Sequence, residues 1–205
     1  MNATESPKGT LELSCEDCMA LMARYPDKHF DLAIVDPPYG AGDNFNFRFD
    51  TLYPNAAPGP EYFAELRRVS KHQIVWGGNY FPLPLSRCWT VWDKANPAPN
   101  FSDVELAWMS FDKVSKMVRL PSYGCQHADG KTIHPTQKPV ALYRWLLANY
   151  AKPGQRILDT HLGSGSHAIA AHYFGAHLTA CEIDADYFAA ATARIQRETA
   201  QTTFL

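Results

Sequence analysis

The stretch from Arg156 to Ile183 constrains the fold more than any other. Arg156-Ile157-Leu158-Asp159 is a short apolar run ending in an acid, and Gly163 and Gly165 follow in a turn. Ser166 to Phe174 then has the length of a helix, Gly175 stops it, and Leu178 to Ile183 is a second apolar run. Strand, glycine turn, helix and strand in succession call for an α/β sheet with parallel strands. The rest of the chain repeats the alternation. Strands are expected at Leu11 to Leu13, Asp31 to Val35, Gln73 to Trp76, Trp89 to Trp92 and Val104 to Phe111, and helices at Glu16 to Arg24, Glu61 to Val69 and Pro139 to Tyr150.

At 205 residues, 46% of them hydrophobic, the chain is long enough for one sizeable core. A single domain is expected over residues 11–200, after a flexible start at 1–10. Residues 41–60, rich in Gly, Asn, Pro and Phe without periodicity, are expected to form a mobile surface loop. No run reaches the roughly 18 apolar residues of a membrane span, and no apolar signal core opens the chain, so a cytoplasmic protein with reduced cysteines is expected. The net charge of -2 argues against a partner held mainly through phosphate neutralisation. Arg67, Arg68 and Lys71, and again Lys113, Lys116, Arg119 and Lys131, nevertheless cluster into candidate basic patches.

Glycines between a strand and a helix let the backbone turn sharply and approach a ligand, and the helix start favours polar groups. Glu182, at the end of the next strand, places a carboxylate where ribose hydroxyls could donate to it. Without a third glycine the pattern also fits a plain strand-to-helix turn. No Gly-Lys-Ser/Thr follows, which disfavours a triphosphate.

Asp36-Pro37-Pro38-Tyr39 directly follows the Asp31 to Val35 strand. Two prolines remove two backbone donors and fix φ, leaving a rigid row of acceptors. Asp36 adds a carboxylate at the sheet edge where α/β proteins bind ligands, and Tyr39 offers a ring on which a base can stack. An exocyclic amino group donating to Asp36 and to a proline carbonyl would have its lone pair oriented for attack on a methyl group. The plainer alternative is a strand terminator with a packed tyrosine.

Asp36-Pro37-Pro38-Tyr39 early, His134-Pro135-Thr136-Gln137-Lys138-Pro139 in the second half, and the glycine loop with Glu182 last resemble the β-class, or permuted, DNA amino-methyltransferases. The resemblance spans about Leu11 to Arg197 and lies closest to small N6-adenine-specific enzymes of phage and bacterial restriction-modification systems. It implies a Rossmann-like, mostly parallel seven-stranded methyltransferase sheet with helices on both faces, S-adenosylmethionine at the glycine loop, and a target base flipped to Asp36–Tyr39. Asp159, His161, Gly163, Ser164 and Gly165 would line the methionine part of the cofactor. Glu182 and Ile183 would hold ribose and flank adenine, with Asp17 and Cys18 contacting that adenine. His134, Thr136 and Lys138 would lie at the amino-acid end, the Lys138 ammonium pairing with the cofactor carboxylate. Thr160-His161 replaces the family's usual Pro-Phe, and His161 is expected to pack in the phenylalanine's place. Residues 96–132 form a short region for target recognition. The other histidines, His167, His172 and His177, are expected on the surface or in helix packing, and the tryptophans in the core.

The reaction so implied is direct transfer to the base nitrogen, giving S-adenosylhomocysteine and methylated DNA, with no metal. Carbon-5 cytosine chemistry would need a Pro-Cys nucleophile, and that pair is absent. The base must first leave the duplex, since its amino group is paired inside the stack. Phe45, Phe47, Arg48 and Phe49 are candidates for filling the gap. Asp36 favours adenine N6, because serine there marks N4-cytosine enzymes. N4-cytosine transfer and a catalytically silent cofactor-binding DNA-regulatory subunit stay as alternatives. The small size raises a homodimer as a way to grip DNA.

Overall fold

A computed structural model describes residues 9–40, 56–95, 102–121, 132–134 and 136–200. Its strands are β1 (Leu11–Cys15), β2 (Phe30–Val35), β3 (Ser70–Trp76), β4 (Trp89–Asp93), β5 (Val104–Met109), β6 (Lys116–Arg119), β7 (Arg156–Asp159) and β8 (His177–Glu182). The helices are α1 (Cys18–Ala23), α2 (Pro60–Val69), α3 (Val140–Tyr150), α4 (Ser166–Phe174) and α5 (Ala185–Ala200). The eight strands form one sheet in the order β1-β8-β7-β2-β3-β5-β4-β6.

From β1 to β3 every neighbouring pair is parallel. β5 is antiparallel to both β3 and β4, and β6 lies parallel to β4, so β5 alone runs against the rest. The expected α/β architecture is therefore present with one strand more than seven. The addition is β6, Lys-Met-Val-Arg, in which Val118 alone is buried. Such a short, charged edge strand carries no hydrophobic period and blunts the sheet edge.

Alternating side chains of the central strands feed two cores. Leu32, Ile34, Ile74 and Trp76 face α3, α4 and α5, while Ala33, Val35 and Val75 face α1 and α2. Trp76, Trp92 and Trp108 are buried as expected. Gly9 and Thr10, within the stretch expected to be flexible, are tied down: Gly9 N donates to His172 O and Leu178 N to Thr10 O. A Cβ on Gly9 would collide with the Ala176 backbone, so only glycine passes there. The expectations for residues 1–8, 41–55, 96–101 and 122–131 lie outside the described residues.

From β2 the chain crosses through α2 to β3 on one side, and from β7 through α4 to β8 on the other. The switch point thus lies between β2 and β7, and a crevice opens beyond their carboxyl ends, where ligands of open α/β sheets bind. Asp36 leaves one of these strands and the glycine loop leaves the other.

Candidate active site

The cleft at this switch point is lined by Asp36, by His134, Thr136, Gln137 and Lys138, by Tyr143 of α3, and by His161, Leu162, Gly163, Ser164 and Ser166. Three segments that lie far apart in sequence meet in one space of about 330 Å³, mouth included.

The glycine-loop wall is fixed by hydrogen bonds to backbone. Gly163 (φ 51°) and Gly165 (φ 76°) take the left-handed conformation that favours glycine. Gly163 N donates to Glu182 Oε2 at 2.9 Å, and Asp184 N to Glu182 Oε1 at 3.1 Å. Glu182 is only 5% exposed, and burial raises its carboxyl pKa. Asp159 is buried: its Oδ1 accepts from His161 N at 3.0 Å and its Oδ2 lies 2.9 Å from His167 Nδ1. His167 stacks on Tyr143 with ring centroids 4.8 Å apart. This histidine does more than pack a helix, since it holds the loop aspartate.

Gly165 serves packing, because a Cβ there would meet Ile195 of α5 at 2.8 Å. Arg194 of α5 donates to Ser164 O and to Ser166 Oγ, both at 2.9 Å, and so clamps the loop to the start of α4. His161 packs edge-on against Tyr62, and its Nδ1 lies 2.9 Å from Thr160 Oγ1. Burial lowers its pKa to about 4, so the ring is neutral at pH 7. His134, likewise lowered to about 4 by burial and by Lys138, lies edge-on to Tyr187 and 3.1 Å from the exposed Thr136 hydroxyl.

Asp17 and Cys18 sit at the end of β1, beside β8. Asp17 caps α1 by accepting from Met19 N and Ala20 N, and burial raises the Cys18 thiol to about 11. Ile183 is 65% exposed at the same edge.

The opposite wall is held by charge. Asp36 Oδ1 accepts from the Tyr39 hydroxyl at 2.7 Å, and Oδ2 from Lys138 Nζ at 2.5 Å. Lys138 Nζ also lies 3.1 Å from Glu105 Oε2 of β5, and Glu105 Oε1 lies 2.6 Å from Lys94 Nζ. Cations and anions therefore alternate from Lys94 through Glu105 and Lys138 to Asp36. Burial raises the Asp36 pKa against the pull of Lys138, with Glu105 adding to the rise. Burial opposes the Lys138 ammonium, but the two carboxylates outweigh it and hold its pKa above the usual lysine value.

Lys138, expected beside the cofactor carboxylate, lies in the cleft and is paired with two carboxylates of the chain itself. A buried ammonium takes the nearest buried anions, and these are Asp36 and Glu105. One ring face of Tyr39 is stacked on Tyr80, with centroids 5.1 Å apart and planes 14° apart. Gly77, at φ 64°, makes room for Tyr39, since a Cβ there would fall 2.3 Å from its ring. Pro37 is buried and Pro38 half-buried under this arrangement.

Sequence reasoning missed Lys94, Glu105, Tyr143, His167 and Arg194. A lone acid inside the apolar strand Val-Glu-Leu-Ala-Trp-Met was the one visible signal for Glu105. The basic patches prove divided. Arg67, Arg68 and Lys71 lie where α2 ends and β3 begins, at the sheet edge away from the cleft. Lys113 and Lys116 lie toward that edge too, beside Tyr150 and Asn149, and only Arg119 of the described basic residues in these patches ends near the cleft.

Solved structures share this architecture. The M1.HpyAVI–SAM complex is 19% identical over 90% of this chain and 100% of its own, with a TM-score of 0.62. The PvuII DNA methyltransferase (cytosine-N4-specific) is 12% identical over 96% of this chain and 94% of its own, with a TM-score of 0.64. The fold is that of the class I S-adenosylmethionine-dependent methyltransferases. The model of the DNA methylase family, the N6/N4 methyltransferases, matches residues 75–193, more than half of the chain, and the protein belongs to that family. Among curated relatives, the type II methyltransferase M2.MboI of Moraxella bovis is 24% identical over 75% of this chain and 76% of its own. The type II methyltransferase M.HinfI of Haemophilus influenzae is 22% identical over 88% of this chain and 67% of its own.

Proposed function

We propose that this DNA methyltransferase transfers the methyl group of S-adenosylmethionine to the exocyclic N6 of an adenine drawn out of duplex DNA. The observation that carries the reading is the shared cleft: the Asp36 carboxylate and the glycine loop face the same space.

The residues present fit the cofactor. The atoms nearest a Cβ on Gly163 would be those of the His134 ring, at 3.6 Å or more, and Gly163 lines the cleft, so a ligand can approach the loop backbone there. Each Glu182 oxygen accepts one backbone N–H, and a carboxylate oxygen has a second acceptor direction for a ribose hydroxyl. Asp17, Cys18 and Ile183 lie at that edge for the adenine, and His134, Thr136, His161 and Ser164 surround the amino-acid end. When bound, the cofactor supplies an electrophilic methyl group.

The chain supplies position and a proton acceptor. Asp36 accepts an N–H of the base amino group and fixes its direction, and near-attack geometry is worth several orders of magnitude in rate. The nitrogen must shed one proton as it gains a carbon. A carboxyl group already raised by burial is suited to take it. Tyr39 offers an aromatic wall for the base. The aspartate at the first motif position favours adenine over cytosine.

The test is incubation with tritiated S-adenosylmethionine and mixed-sequence duplex DNA, followed by digestion and separation of nucleosides. Label in N6-methyldeoxyadenosine is expected. Label in N4-methyldeoxycytidine would move the target, and absence of label would leave a silent DNA-regulatory subunit. Asp36→Ala should bind cofactor within a few-fold of wild type by calorimetry yet lose on the order of 10³-fold in turnover. Near-normal turnover would remove Asp36 from the mechanism.

A further inference from the structure

Asp36 is engaged where it is needed. Its Oδ1 holds the Tyr39 hydroxyl and its Oδ2 the Lys138 ammonium, so a base amino group arriving at this carboxylate meets a cation already bound. An ammonium that close also draws electron density from the acceptor and weakens it toward a neutral N–H donor. Each Asp36 oxygen keeps a second acceptor direction, and a base amino group is held there more strongly once Lys138 eases away. Lys138 is 4% exposed, and a charge so buried needs a partner wherever it moves.

Glu105 is that partner. Its Oε2 lies 3.1 Å from Lys138 Nζ, and its Oε1 is anchored by Lys94. The Trp76 ring, with its centroid 5.3 Å from Nζ, gives the ammonium an aromatic surface beside it. β5 makes the arrangement possible, because its reversed direction brings its first residues, not its last, to the cleft edge.

We propose that Glu105 is a positioning residue that takes over the Lys138 ammonium when the base amino group occupies Asp36. The same Asp36 oxygen then serves the lysine before substrate binds and the base afterwards, and no buried charge is uncovered in the exchange. The proposal rests on Asp36 as acceptor of the base amino group. It adds a residue that need touch neither DNA nor cofactor.

Glu105→Gln keeps the shape and removes the charge, leaving Lys138 on Asp36. In steady-state assays of the full chain with S-adenosylmethionine and duplex DNA, kcat should fall about 10-fold, the scale of coupling within a charge network, while both KM values stay within about 2-fold. Glu105→Asp, which keeps the charge on a shorter side chain, should fall between Glu105→Gln and wild type. A wild-type kcat for Glu105→Gln, equal losses in the two variants, or a loss carried wholly by KM would overturn the proposal. If near-UV circular dichroism shows that Glu105→Gln does not fold, Glu105→Asp decides alone: lowered kcat at constant KM supports the exchange, and unchanged kcat overturns it. Asp36→Ala, which leaves no acceptor, measured alongside separates the two readings. Turnover by that variant removes the acceptor itself, whereas an inactive Asp36→Ala beside an intact Glu105→Gln removes only the exchange.

Discussion

The two edges of one sheet carry the same kinds of residue and put them to opposite use. At the edge where β3 begins, Arg68 bridges Glu65 and Asp27, and Lys71 pairs with Asp31, all in at least partial contact with water. At the edge where β2 ends, Lys138 and Asp36 are paired with side chains 3% and 13% exposed. Solvent screens the first set, so its pairs are worth little, while the second set must stay mutually compensated because water reaches so little of it. A run of arginine and lysine in sequence therefore says less about function than one lysine among acids behind a strand.

The sharpest way to break this contrast is to remove the central cation. Lys138→Met should destabilise the fold by about 3–5 kcal/mol, measured by urea unfolding, because Asp36 loses its counter-ion in a buried site. A change below about 1 kcal/mol would mean that the cleft edge is as well screened as the far one. The buried histidines give an intermediate effect. Below pH 6.5 the unfolded chain takes up protons that folded His134 refuses until about pH 4, so stability is highest above that window and declines as pH falls through it. The loss from His134 alone is on the order of 3 kcal/mol, with His161 acting in the same direction. Urea midpoints at pH 7 and pH 4.5 should therefore differ less in His134→Gln than in wild type, and an equal difference would contradict the burial of this ring. The smallest effect belongs to the far edge. Asp27→Ala, which removes one exposed partner of Arg68, should shift stability by less than about 1 kcal/mol and leave turnover unchanged. A larger loss would mean that exposure does not separate the two edges.

What could be read from the sequence was what the backbone dictates. The β7–α4–β8 unit was legible because glycines must sit at its left-handed positions and because its strands are continuous apolar runs. The Asp-Pro-Pro-Tyr segment was legible because prolines end a strand in a recognisable way. β6 was hidden because one buried side chain makes no pattern. α5 went unread too: its buried side is Ala191, Arg194 and Ile195, and an arginine clamping the glycine loop interrupts the apolar stripe that would reveal a helix. The pairing of Lys138 was beyond sequence reasoning altogether. Its partners come from the end of β2 and the start of β5, and only the strand order makes them neighbours.

The reversed strand has a consequence for how such proteins diversify. Because β4 and β5 form an antiparallel pair whose open end, from Asp93 to Val104, lies at the cleft edge, the segment joining them can be lengthened, shortened or exchanged without shifting a single register in the sheet. A change of length there reaches the rim of the cleft, while the parallel strands that carry Asp36 and the glycine loop keep their places. The limit is Lys94 at the start of that segment: its ammonium holds Glu105, so an exchange that leaves every register intact still has to keep this one side chain.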